Sequence, residues 1–107
     1  MTMSNDARNT FAPHPATLLD TPPKVMGALL SWRDAASRFV ANQKARSPLM
    51  RWHAWQLSRA YVALRKVVLA QVDSTWYGSA MWLALDEGVN PFNDGLFIAF
   101  LVNALLP

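Results

Sequence analysis

Residues 47–72 read SPLMRWHAWQLSRAYVALRKVVLAQV, and the spacing of apolar positions in this stretch decides the fold class. Leu57, Tyr61, Leu64, Val68 and Val72 recur at intervals of four, three, four and four. That is the period of one face of an α-helix, not the alternation of a strand. Ser47 followed by Pro48 is a helix start signal. The serine hydroxyl accepts from an early backbone N–H, and proline at the first position loses no intrahelical donor. Away from the apolar row, Arg51, Arg59, Arg65 and Lys66 form a basic face. A second apolar row, Trp55, Val62 and Leu69, runs beside these bases at a spacing of seven. Two apolar rows predict more than one neighbour, and hence a central helix.

Upstream, Thr21-Pro22 repeats the cap-then-proline signal and opens an earlier helix that ends near Lys44. Val25, Leu29, Trp32, Ala36 and Phe39 form its apolar face, with Asp34 and Arg38 four apart on the other side and able to pair. Residues 1–20 precede that signal. They are rich in Asn, Thr, Ala and Pro, and Pro13 and Pro15 flank His14. This predicts an extended or flexible N-terminal arm, with Phe11, Leu18 and Leu19 available to anchor it.

Downstream, Asp73-Ser74-Thr75 reads as a break and a new cap. Trp76, Tyr77, Ala80, Met81, Trp82, Leu83, Ala84 and Leu85 are then apolar almost all round, with Gly88 as a stop. Val89 to Gly95 (VNPFNDG) is a turn segment. Leu96 to Leu106 is again apolar all round. Its short run LFIAFLV fits a helix or a buried strand by period alone. Asn93 or Asp94 can cap a helix there, and no partner strand is visible, which favours helix. The whole reads as an all-α chain: a small bundle of three to four helices over 21–107 behind an N-terminal arm over 1–20.

The charge is divided along the chain. Residues 1–66 hold all ten bases and three acids, while residues 67–107 hold four acids and no base, so that +7 and −4 make up the net +3. This predicts different surroundings for the two halves. Asp86 and Glu87 lie at the end of a helix that disfavours negative charge, which suits them to a basic partner.

Little here is suited to catalysis. Cysteine is absent, and the two histidines, His14 and His53, have no acid three or four residues away on a shared helix face to make a metal site. The four glycines are scattered and form no phosphate loop, and no serine sits in a triad motif. No catalytic, cofactor-binding or metal-ligating residue is nominated, and no small-molecule substrate is evident. The N-terminus MTMSNDARNT lacks a basic region followed by an apolar run, so export by the usual route is not expected. A membrane crossing needs about 20 mostly apolar residues; Val67 to Leu85 is interrupted by Gln71, Asp73, Ser74 and Thr75, and Leu96 to Leu106 is too short and contains Asn103.

The expected function is therefore non-enzymatic: a small cytoplasmic structural or adaptor subunit that packs into an assembly through its apolar C-terminal half. Five tryptophans in a chain of 107 residues are more than a bundle this small is expected to bury, and Trp is enriched at binding hot spots. Trp76, Trp82, Phe97, Phe100 and Leu101 are the expected partner-binding residues, toward another protein or copies of the chain itself. Two rival readings use the basic face of Arg51, Arg59, Arg65 and Lys66 with its tryptophans. One is an accessory protein of a membrane complex, lying on anionic lipid. The other is a helical nucleic-acid-binding module that holds phosphates and stacks bases.

Overall fold

The computed structural model describes residues 20–106; the N-terminal arm expected over 1–20 lies outside them apart from Asp20. The described chain is all-α, with four helices and no strand among the described residues: α1, Pro23–Lys44; α2, Met50–Leu69; α3, Thr75–Asp86; and α4, Asp94–Leu105. The helical region expected over 21–107 comprises two compact units. One is Pro23–Leu69, and the other holds Ala70 onward together with the described residues before Pro23.

The first unit is a helical hairpin. α1 closes in a Schellman motif, in which the Ser47 N–H donates to the Asn42 carbonyl at 3.0 Å and the Arg46 N–H to the Gln43 carbonyl at 3.2 Å. This places Arg46 at φ 52°, the left-handed region that glycine occupies without steric cost. The Ser47 hydroxyl then accepts from the Leu49 N–H at 3.0 Å, the cap that Ser47-Pro48 announces in the sequence. Reversal within five residues lays α2 back along α1.

Val25 and Leu29 of α1 and Leu64 and Val68 of α2 are fully buried. Trp32, Ala36, Phe39, Leu57 and Tyr61 are half-buried, as both apolar faces predicted. Val72 falls beyond the end of α2 and is exposed. The second row does not find a second neighbour: Trp55 and Val62 are exposed, and Leu69 is half-buried. Val62 lies about 160° around the helix from Leu64, at 100° per residue. A helix seated on Leu64 and Val68 cannot also cover it.

The second unit pairs α3 with α4. Ser74 caps α3 in an extended conformation, accepting from the Tyr77 N–H at 3.1 Å and donating to the Gln71 carbonyl at 2.7 Å. α3 ends in a second Schellman motif, with the Val89 N–H on the Ala84 carbonyl at 2.8 Å and Gly88 at φ 77°. An Asx turn follows, in which the Asn90 side chain accepts from the Phe92 N–H at 3.0 Å, and Pro91 is buried. Asn93 caps α4 by accepting from the Leu96 N–H at 3.0 Å. The last apolar run is a helix, as its cap suggested.

Because α3 and α4 are apolar on nearly every side, the sequence did not say which side turns inward. Trp76, Tyr77, Ala80, Leu83 and Ala84 are the buried residues of α3, and Phe97, Ile98 and Leu101 those of α4. The Tyr77 ring meets Phe97 edge-on, with centroids 5.3 Å apart and planes at 62°. The Trp76 indole N–H donates to the Thr21 hydroxyl at 2.9 Å, which satisfies a buried donor. No buried side-chain nitrogen or oxygen lacks a hydrogen-bond partner among the described residues.

Candidate functional site

The five expected partner-binding residues separate into two groups. Trp76, Phe97 and Leu101 are buried in the chain's own core, so they hold the α3–α4 unit together and present no surface. Trp82 is 58% exposed and Phe100 is half-buried, so these two remain accessible. Leu85 and Leu96 join them on the outer sides of α3 and α4, each about half exposed. A depression of about 470 Å³ on the same unit is lined by Val89, Leu96, Ala99, Phe100 and Asn103, with Glu87 at its edge.

Phe92 is exposed at 79% and escaped the sequence reading, which treated it only as part of a turn. The available signal was Asn90-Pro91, which marks a turn, and turn residues lie at the surface. From residue 70 onward the unit carries Asp73, Asp86, Glu87 and Asp94 and no base. Tyr77 is buried in this unit. Burial, and then the negative charge of Asp94, push its phenol above the usual value.

The hairpin carries the opposite sign. Between residues 23 and 69 there are nine bases and one acid, Asp34, and every one of the bases is exposed. Asp34 is bridged by Arg38 one turn along α1, so its charge is locally neutralised. Arg51, Arg59, Arg65 and Lys66 all reach solvent, as the basic face predicted. Interleaved with them, Trp52 and Trp55 lie exposed with ring centroids 5.2 Å apart and planes at 36°. The Arg59 guanidinium sits over the Trp55 ring, 5.0 Å from its centroid. Between the helices a groove of about 600 Å³ is lined by Asp34 and Arg38 of α1 and by Trp52, His53, Gln56 and Arg59 of α2.

The chain matches no family model, no curated protein and no solved structure. Among the described residues no three His, Cys, Asp or Glu side chains gather where a metal ion could be held, and no helix is long and apolar enough to cross a membrane. What the geometry offers is contact area: an acidic, apolar face on the α3–α4 unit and a basic, aromatic one on α2.

Proposed function

We propose that this protein is a non-enzymatic structural or adaptor subunit whose α3–α4 unit docks onto another protein chain, copies of itself included. The observation that carries this reading is the outward position of Trp82, Leu85, Phe92 and Leu96 on a unit whose core is already closed by Tyr77, Phe97 and Leu101. About half of Trp82, Leu85 and Leu96 and most of Phe92 lie outside the unit's own packing, and apolar surface that gathers into a patch marks an interface. Exposed Trp also supplies the large, anchoring contact area on which binding energy concentrates. The partner face that fits is apolar and edged with bases, complementary to residues 70–107, which carry four acids and no base.

A photoreactive amino acid placed at position 82 or 96 tests the reading. Either position captures a second polypeptide under illumination, whereas the same group at exposed Lys24 on the hairpin does not. Equal capture from all three positions, or none from 82 and 96, would overturn it.

A further inference from the structure

We propose that the solvent-facing row of α2 rests on the surface of an anionic phospholipid membrane, with the tryptophans at the headgroup level and the bases among the phosphates. Trp52, Trp55, Arg59, Val62 and Lys66 follow one another at spacings of three, four, three and four, a single stripe along the helix. All five are exposed; Trp55, Val62 and Lys66 lie about 160–180° around the helix from buried Leu64 at 100° per residue, while Trp52 and Arg59 also border the groove toward α1. The row is about 21 Å long at 1.5 Å per residue. Leu49 extends its apolar content at the N-terminal end, where it too is exposed.

Three observations favour lipid over nucleic acid. First, the two indoles stand 5.2 Å apart, too close for a base to enter between them, since bases stack at about 3.4 Å per step on each side. Second, one face of Trp55 is already covered by the Arg59 guanidinium, so a base stacking on that face would have to displace it. Third, Val62 and Leu49 have no role against phosphates or base edges but suit a headgroup boundary. There an interfacial helix buries Trp, Leu and Val while Arg and Lys extend to the lipid phosphates. Eight exposed bases beside the Asp34–Arg38 pair give the hairpin the attraction that anionic lipid requires. Attachment of this kind lies on the bilayer and needs no crossing helix.

The test is co-flotation of the full chain with vesicles of phosphatidylcholine, with and without phosphatidylglycerol, beside a single-stranded oligonucleotide in the same buffers. The chain floats with the phosphatidylglycerol vesicles, and salt releases it. Changing both Trp52 and Trp55 to Ser, or both Arg59 and Lys66 to Ala, weakens that binding at least about tenfold with the helical circular dichroism unchanged. The Trp82→Ser chain floats like wild type, which separates this surface from the α3–α4 docking face. Failure to float, equal flotation with phosphatidylcholine alone, or tighter binding to the oligonucleotide that is lost in the same variants would each overturn the proposal.

Discussion

The indole N–H of Trp76 donates to the hydroxyl of Thr21 at 2.9 Å, joining residues 55 positions apart in the chain. Trp76 is buried, so its donor has no water to turn to when the acceptor is removed. Thr21→Val therefore costs about 1–3 kcal/mol, the range for orphaning a buried polar group. In a Trp76→Phe background, with no donor to orphan, the same change costs less by about 1 kcal/mol. Urea unfolding of the four chains measures the coupling, and strict additivity would remove this bond from the account of stability.

The two apolar rows of α2 differ in stability effect. Leu64 is fully buried and Val62 is 55% exposed. Leu64→Ala lowers stability by about 2–5 kcal/mol, and Val62→Ala changes it by no more than about 0.5 kcal/mol. Equal losses in thermal or denaturant unfolding would mean that the second row is packed.

The two left-handed helix ends respond in opposite directions. Gly88 sits at φ 77° with open space around the position a Cβ would take. Gly88→Ala therefore meets no clash and loses only the backbone preference, about 1 kcal/mol. Arg46 holds the same position after α1 at φ 52°, and Arg46→Gly raises stability by about 0.5–1 kcal/mol. Denaturant midpoints of the two variants should bracket that of the wild type.

Tyr77 makes the fold sensitive to alkali. Burial and the charge of Asp94 raise its ionisation above the usual value. The unfolded chain loses this proton near pH 10, as free tyrosine does, while the folded chain still holds it. The stabilisation is complete below that pH and is lost as the pH climbs from there toward the raised folded value. Melting temperatures on either side of pH 10 should fall less steeply in Tyr77→Phe than in wild type.

The legible parts of this chain are those where polar and apolar residues alternate with a helical period. α1 and the Leu64 row of α2 carry that contrast, and their buried residues follow the expected faces. The caps were equally readable: Ser47, Ser74, Gly88 and Asn93 are short-range signals and act within a few residues of where they stand. α3 and α4 lack a polar side, so nothing local assigned Trp76 and Phe97 to the core and Trp82 and Leu96 to the surface. The bond from Trp76 to Thr21 lay beyond any periodic reading, because Thr21 is also a plausible cap and its tie to Trp76 exists only in three dimensions. Trp55 and Val62 were placed against a neighbour because apolar rows usually pack; their position opposite Leu64 leaves them in solvent.

Sedimentation of the full-length protein without detergent, across a rising concentration series, tests the docking role of the α3–α4 unit most directly. The wild type forms larger species as concentration rises. A chain carrying Trp82→Asp and Leu96→Asp sediments as a monomer with its helical signal intact, while Phe97→Asp, which buries a charge beside Tyr77, loses the fold instead. A wild type that remains a clean monomer at every concentration would contradict docking of this unit onto copies of itself.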